Sequence, residues 1–382
     1  MKKVLSVFLI LAVCILPLCA CAKADPEKLS EAQLSYIQTE SDKRIRQMDF
    51  QGAVYTSYQG EEIYSKATGK ANKKEAIDNS VDIVYHFASV TKQFTAAAVL
   101  MLYDEGKLDL KDTLGKYFPD YACGKDITIH ELMCMRSGIP DYVNINDESG
   151  VAAEMYSDVE IPFDIDADNC AEDNRKIIEE WIFAQPLLFT PGERYDYSSS
   201  NYLLLGEIVE QLTDEGYHAF VKSRIFDPLK MTSAGFVDDY SVEGVTVAKG
   251  YHSEGIEWAD ISGVRFAAWD MMCSPRDMAK WGEALISGEL LSEESLKLMT
   301  TDYSTKDDPV QYCYALETAD TEKSGKVYYH SGHFPSFYSM LLIIPEKKLV
   351  NVTVSNHSSE NAPTLSARLC ETVLKAIEEK YE

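Results

Sequence analysis

The chain has 382 residues, of which 46% are apolar, so it can bury a large core and is long enough for two lobes. Its 62 acidic side chains outnumber its 36 basic ones, giving a formal net charge of −26. Such a charge would repel a phosphate backbone, so we expect no nucleic acid among its partners.

The first residues of the chain have the pattern of an export signal. Lys2 and Lys3 precede an apolar run over residues 4–18, which is shorter than the ~20 residues of a bilayer span. We predict a signal peptide over residues 1–20. The run ends in Leu18-Cys19-Ala20-Cys21, which resembles the bacterial lipobox and predicts that Cys21 is acylated as the mature N-terminus. Ordinary cleavage after a nearby small residue would instead give a secreted protein.

Two predicted hairpins lie near opposite ends of the chain. Apolar residues at near-helical spacing between residues 34 and 48 first predict a helix that packs on a sheet. Residues 52–58 and 62–68 then form a hairpin pattern with Gly60 at the turn. A second hairpin pattern joins residues 339–344 to 349–355. We therefore predict an antiparallel sheet built from both ends of the chain.

Helical patterns fill most of the sequence between these hairpins. The predicted helices cover residues 91–104, 129–136, 202–212 and 217–226, and two further ones at 274–287 and 363–380 would cover the sheet. The fold class predicted is α+β, an antiparallel sheet flanked by helices with an inserted, mainly α-helical lobe. The domain would span residues 30–375, with an α/β lobe at about 30–88 and 245–382 and a helical lobe at about 89–244.

The sequence contains no pattern that predicts a metal or cofactor site. None of the six cysteines beyond the leader stands in a Cys-x-x-Cys pair, and their wide spacing predicts no disulfide framework. The segment around Asp164, Asp166 and Asp168 hints at a calcium loop. However, Asn169 replaces the glycine of the sharp turn and Arg175 replaces the bidentate glutamate, so we predict no metal there.

The segment Ser89-Val90-Thr91-Lys92 opens a predicted helix and places a hydroxyl and an amine one turn apart. A buried lysine loses stability as a cation, so it can act as a base toward the serine, while the helix N-terminus can stabilise an oxyanion. A single Ser-x-x-Lys match also arises by chance. In that case Ser89 would be a helix cap and Lys92 a surface residue.

Two further segments contain candidate catalytic groups. One runs from Pro191 through Tyr197, Ser198 and Ser199 into a helix, and its tyrosine could relay protons. The other is His330-Ser331-Gly332-His333, just before the second hairpin, where the small glycine would let a substrate backbone approach a strand edge. Each segment taken singly is also compatible with a packing tyrosine or an ordinary strand-end histidine.

Together, these segments resemble the penicillin-recognising serine hydrolases, the group related to class C β-lactamases, D-alanyl-D-alanine carboxypeptidases and serine esterases. The resemblance covers roughly residues 30–375. It includes the connecting phrases Arg136-Ser137-Gly138-Ile139-Pro140-Asp141-Tyr142, Asp227-Pro228-Leu229-Lys230-Met231 and Cys273-Ser274-Pro275-Arg276-Asp277 in the same order.

The resemblance implies a role for each of these residues. Ser89 would be the acylated nucleophile, Lys92 its base, and Tyr197 the proton shuttle to the leaving group. His330 stands where many members carry lysine, and it would act with the substrate-binding residues Ser331 and Gly332. The backbone N–H groups of Ser89 and His333 would form the oxyanion hole.

Several positions depart from the family pattern. Ser199 stands where members usually carry an asparagine, and its shorter side chain cannot offer an amide to the substrate carbonyl and to Lys92 at once. Trp269 and Tyr312 occupy places that are often glycine. We still expect Ser199 to line the substrate site, but these changes put β-lactamase activity in doubt more than acyl-enzyme formation.

Two functional hypotheses follow from these patterns. The first is an extracytoplasmic serine hydrolase that forms an acyl-enzyme at Ser89 on a D-amino-acid-containing peptide, a β-lactam, or a small ester or amide. Its substrate could derive from peptidoglycan, and a lipid anchor would hold the protein at the outer face of the cytoplasmic membrane. The second is a catalytically weak or inactive relative that binds cell-wall peptides or a protein partner.

Overall fold

The computed structural model describes residues 28–143, 169–251, 262–334, 336–357 and 361–379. Its α-helices are α1 Glu31–Gln47, α2 Thr91–Asp104, α3 Ile129–Met133, α4 Ala171–Ala184, α5 Ser199–Leu212, α6 Tyr217–Val221, α7 Pro275–Ser287, α8 Glu293–Met299 and α9 Ala362–Glu378. Its strands are β1 Gly52–Tyr58, β2 Glu61–Thr68, β3 Lys70–Asn72, β4 Ile77–Asp78, β5 Tyr85–His86, β6 Gly235–Phe236, β7 Met271–Cys273, β8 Gln311–Tyr312, β9 Glu317–Thr321, β10 Gly325–Phe334, β11 Phe337–Ile344 and β12 Leu349–Ser355.

The main sheet joins both ends of the chain, as the two predicted hairpins require. Its strand order is β2-β1-β12-β11-β10-β9-β8, and each neighbouring pair is antiparallel. The first hairpin meets the last strand through β1 and β12, with Tyr55 opposite Val352. The predicted α+β architecture is therefore confirmed.

Helices cover the two faces of this sheet, because alternate residues of each strand point to opposite sides. Helices α1 and α9 pack together on one face, where Ile37 and Leu365 share a core cluster with Leu342. Helix α7 packs on the other face, where its Gly282 lies against Leu341 and Val350. The predicted positions of α1, α7 and α9 against the sheet are thus confirmed.

Helix α2 is the centre of the helical region, and its residues from Thr91 to Leu102 are all buried. It packs against α5, α6 and α8. Helix α5 begins at Ser199, three residues earlier than the sequence predicts, because serine is well tolerated in a first helical turn that polar groups can satisfy. Helix α3 ends earlier than predicted, at Met133. Helix α6 continues into a π-helical turn over residues 222–226.

A small sheet connects the helical region to the segment that carries the candidate nucleophile. Its order is β5-β7-β6, so Tyr85 pairs with Cys273 and Gly235 pairs with Met272. Strand β5 ends only two residues before the turn that contains Ser89. Within the described ranges, the protein has no helix of the length and apolarity that a membrane crossing requires.

Candidate active site

Ser89 lies in a tight 3-10 turn, Ala88–Val90, directly before α2. The turn is fixed to β7 by two interactions: Phe87 N–H donates to Met271 O at 3.1 Å, and Met271 N–H donates to Thr91 Oγ1 at 2.9 Å. The cap position of α2 is taken by Val90, which has no side-chain oxygen. Ser89 is therefore not the cap of this helix, and its half-buried hydroxyl faces the amine of Lys92.

Lys92 is fully buried, which excludes the alternative of a surface lysine. Its Nζ lies 3.2 Å from Ser89 Oγ, 3.4 Å from Ser199 Oγ and 2.9 Å from Ala268 O. Burial lowers its pKa to about 7, against the opposing effect of nearby carboxylates. A neutral amine has two N–H groups and one lone pair, so it can donate to Ala268 and Ser199 and accept the proton of Ser89. This arrangement suits a general base.

Tyr197 lies beside both of these groups. Lys92 Nζ is 4.9 Å from the centre of the Tyr197 ring. The phenol oxygen is buried and has no hydrogen-bond partner among the described residues. Burial raises the pKa of Tyr197 well above its usual value, while the neighbouring Ser89 hydroxyl lowers it. The phenol therefore stays protonated near neutral pH, with its oxygen available to a substrate.

The start of α5 places Ser199 in the site but turns Asn201 away. Ser199 is buried and its Oγ accepts from Lys92. Asn201 accepts from Ser137 Oγ at 2.6 Å and donates to the sulfur of Met135. The asparagine two residues further along therefore does not supply the amide that Ser199 lacks.

His330 lies on β10 with its ring 6.2 Å from that of Tyr197. Its Nδ1 is 2.6 Å from Ser331 O, and its Nε2 is 3.4 Å from the hydroxyl of Tyr312. Burial and the nearby Lys92 lower its pKa to about 4. His330 is therefore neutral near pH 7, with Nδ1 as the donor to the carbonyl and Nε2 as the acceptor.

Strand β10 runs directly past the nucleophile turn. A Cβ at Gly332 would lie 2.1 Å from Phe87 O, and Ser339 Oγ already donates to the same carbonyl at 2.8 Å. Strand β9 pairs with β10 only up to Tyr329, so the following residues lack that neighbour on the side of the site. The half-buried Ser331 lies on this stretch, and the exposed ring of His333 stacks on Tyr338 at 4.1 Å.

The structure thus brings Ser89, Lys92, Tyr197, Ser199 and His330 together and places Gly332 against the nucleophile turn. Cys21 and the acidic segment before Asn169 lie outside the described residues. In the part of the chain that is described, the cysteines are free and no cluster of metal-ligating side chains occurs.

Sequence reasoning missed three groups around Lys92. The carbonyl of Ala268 is its shortest contact, and Asp141 and Asp270 both raise its pKa. A backbone carbonyl has no sequence signature. Asp270 lies next to Trp269, a position where the sequence departs from the family pattern. The proximity of Asp270 to Lys92, however, depends on the tertiary fold.

Comparison with known proteins identifies the class to which this fold and site belong. Residues 42–369 match the model of the Beta-lactamase family. The chain belongs to that family, and so to the serine penicillin-recognising hydrolase superfamily.

Similar curated proteins include one from Bacillus subtilis and one from Staphylococcus aureus. PbpX of Bacillus subtilis (strain 168), named as a candidate penicillin-binding protein, is 29% identical over 73% of this chain and 66% of its own length. Protein flp of Staphylococcus aureus (strain NCTC 8325 / PS 47) is 27% identical over 81% of this chain and 60% of its own length. The chain therefore spans less than two thirds of these curated relatives.

Solved structures share the fold at lower identity. The octameric penicillin-binding protein homologue from Pyrococcus abyssi superposes with a TM-score of 0.74 at 24% identity, over 90% of this chain and 77% of the other. D-amino acid amidase from Ochrobactrum anthropi SV3, complexed with D-phenylalanine, superposes with a TM-score of 0.72 at 22% identity, over 91% of this chain and 99% of the other.

Proposed function

We propose that the protein forms an acyl-enzyme at Ser89 with neutral Lys92 as the base. The observation that supports this most directly is the buried amine, 3.2 Å from the serine hydroxyl, with a pKa of about 7. A base whose pKa lies near the working pH combines a large unprotonated fraction with useful proton affinity. An exposed lysine would keep a pKa far above the working pH, because burial is what lowers the pKa of Lys92.

The proposed reaction proceeds by acyl transfer. Ser89 Oγ bonds to the substrate carbonyl carbon while its proton passes to Lys92 Nζ, and the carbonyl oxygen becomes an oxyanion. The backbone N–H groups of Ser89 and His333 would stabilise that oxyanion. The bond to the leaving group then breaks as a proton moves through Tyr197 to the departing atom. Water completes the cycle by hydrolysing the ester at Ser89.

The proposed substrates are a D-amino-acid-containing peptide, a β-lactam, or a small ester or amide. A penicillin-binding protein homologue and a D-amino acid amidase are among the structural neighbours, which supports these classes. Neutral His330 carries no positive charge, and its single N–H is already donated to Ser331 O, so it has none to offer a substrate carboxylate. We therefore expect neutral esters and amides to react at least as well as peptides with a free terminal carboxylate.

Covalent labelling tests the proposed nucleophile. Purified protein would be treated with a fluorescent penicillin and with a fluorophosphonate, and the labelled peptide located by mass spectrometry. We expect label at Ser89 from at least one probe, and none in Ser89→Ala. Ser198→Ala is a matched control, because it removes a neighbouring buried hydroxyl that has no hydrogen-bond partner among the described residues.

Failure of both probes on folded protein would contradict the acyl-enzyme. If Ser89 is labelled, a panel of D-alanyl-D-alanine peptide, nitrocefin and short-chain esters would define the substrate class. The binding-protein alternative makes a different prediction: cell-wall peptides would bind both wild type and Ser89→Ala, without turnover by either. Ser199 in place of the usual asparagine is the residue that favours this alternative.

We also propose that the protein is exported and held at the outer face of the cytoplasmic membrane by a lipid on Cys21. The support is the basic and apolar leader ending in Leu18-Cys19-Ala20-Cys21. In a bacterial host, wild type should take up a labelled fatty acid and sediment with membranes, and Cys21→Ala should do neither. Equal incorporation in both forms would refute the anchor.

A further inference from the structure

His218 and Asp270 form a hydrogen-bonded pair next to the segment that contacts Lys92. His218 Nε2 lies 2.9 Å from Asp270 Oδ2, and Asp270 is completely buried. The imidazole stacks on Phe236, with ring centres 4.1 Å apart and planes 8° from parallel. Asp270 Oδ1 has no hydrogen-bond partner among the described residues, so His218 is the principal side-chain partner of this carboxyl group.

The pair holds the segment that orients Lys92, residues 265–270, which we call the acceptor turn. Inside this turn, Asp270 Oδ2 accepts from Ala267 N–H at 3.2 Å. The two carbonyls next to that bond both face α2: Ala268 O accepts from Lys92 Nζ, and Ala267 O accepts from Thr95 Oγ1 at 2.6 Å. Ala267 has a φ of 57°, which is costly for a residue with a Cβ. The carboxyl group of Asp270 therefore stabilises a turn that would otherwise be unfavourable.

The charge of this pair affects the amine directly. Asp270 is one of the two carboxylates that raise the pKa of Lys92 against the larger effect of burial. Partial burial of His218 lowers its pKa, but its bonds to Asp239 and Asp270 outweigh that effect and raise its pKa to about 9. An imidazole and a carboxyl group that share one proton have no net charge, whichever atom holds it. A bare carboxylate in the same place would instead favour the cationic form of Lys92.

Other charged and titratable groups surround the two residues. Lys92 faces Asp141 from the loop after α3, Tyr197 just before α5, Tyr202 in the first turn of α5, and His330 on β10. His218 also faces Asp239, which is 59% exposed, while Asp238 raises the pKa of Asp270 and contacts Arg265 at 3.4 Å. Asp270 is the group that both bonds His218 and acts on Lys92.

We propose that His218 is a positioning residue that, by sharing a proton with Asp270, keeps the acceptor turn without net charge and so keeps Lys92 available as a neutral base. This role rests on the proposed function of Lys92. His218 lies outside the candidate substrate site and touches no reacting atom, so it would act only through Asp270.

The test is a direct titration of Lys92, which needs no turnover. Protein labelled with ¹³C and ¹⁵N in lysine would be titrated by NMR, with the Lys92 signal assigned by its loss in Lys92→Met. We expect His218→Gln to raise the Lys92 midpoint by about one pH unit, because Asp270 loses its counter-charge. His218→Gln combined with Asp270→Asn restores a neutral pair, so its midpoint should return close to that of wild type.

Acylation provides the second readout. Below the midpoint, His218→Gln should react with the Ser89 probe about tenfold more slowly, in line with a shift of about one unit, and the double variant should recover. Asp227→Asn is the matched control: it removes one exposed carboxylate just beyond α6 whose partner is Lys222 and not His218, and it should move the midpoint little.

An unchanged midpoint in folded His218→Gln would overturn the proposal, as would a double variant shifted as far as the single one. A purely structural role predicts that the second substitution adds damage rather than rescue. If no probe labels wild type, the proposed acyl-enzyme fails, but the NMR titration still decides the role of His218.

Discussion

At the scale of single residues, the chemistry depends on one buried amine. Transfer from water disfavours the charged form of Lys92, and the fold compensates the neutral form with two acceptors and one hydroxyl donor. His330 shows the same effect at a second position, since burial keeps its imidazole neutral. Near pH 7 the imidazole is therefore neutral, and the amine is neutral in roughly half of the molecules.

This burial should be visible as a pH dependence of stability. The pKa of Lys92 is about 7 in the folded protein and roughly 10.4 in an unfolded chain. Between these values the unfolded state binds more protons, so the free energy of unfolding should rise with pH by about 1.4 kcal/mol per unit from this group. The contribution is complete above the unfolded pKa and is lost as pH falls toward 7.

The measurement is denaturant unfolding of wild type and Lys92→Met across this pH range. The difference between them should show this slope, and Lys92→Met should be the more stable form near pH 7. Ser199→Ala is the control, because it keeps the buried amine and should retain the slope. Parallel curves for wild type and Lys92→Met would show that Lys92 has an ordinary pKa.

At the scale of elements, the site depends on how closely β10 approaches the turn before α2. The absence of a side chain at Gly332 allows this approach, because a Cβ there would overlap Phe87 O and Ser339 Oγ. Glycine is thus needed for space and not for backbone conformation: Gly332 is absent from the positions with positive φ. The same contact fixes the distance between the nucleophile and the open stretch of β10.

Gly332→Ala should therefore separate these two elements. We expect the free energy of unfolding to fall by about 1–3 kcal/mol, typical of an overpacked site, and Ser89 labelling to fall more than the stability loss explains. Thermal unfolding and the rate of probe labelling measure the two effects. Ser331→Ala is the control at the residue before Gly332: it adds no atoms to β10, so it should leave stability nearly unchanged. Equal stability and labelling in Gly332→Ala would mean that the strand and the turn are not in close contact.

At the scale of the whole molecule, the candidate site is assembled from four distant parts of the chain. The turn before α2, the start of α5, the acceptor turn and β10 meet around Lys92. The small sheet β5-β7-β6 brings the first and third of these together, and the main sheet carries the fourth. The core cluster under α1 and α9 lies on the face of the main sheet opposite α7.

The sequence by itself determined the patterns that are local or that the family resemblance preserves. Hairpins at both ends, the helix after Ser89 and the order of the candidate segments follow from spacing and residue type, and the α+β fold they predicted is confirmed. The roles of Ser89, Lys92, Tyr197 and His330 stay predictions, although the structure places these side chains within reach of one another.

Only the tertiary structure decided the environment of those side chains. The depressed pKa of Lys92, the neutrality of His330, the turning away of Asn201 and the pairing of His218 with Asp270 all depend on groups far apart in the chain. The physical reason is that burial and charge act through space. A sequence pattern can specify which groups are present, but the surrounding packing sets their protonation and the directions of their hydrogen bonds.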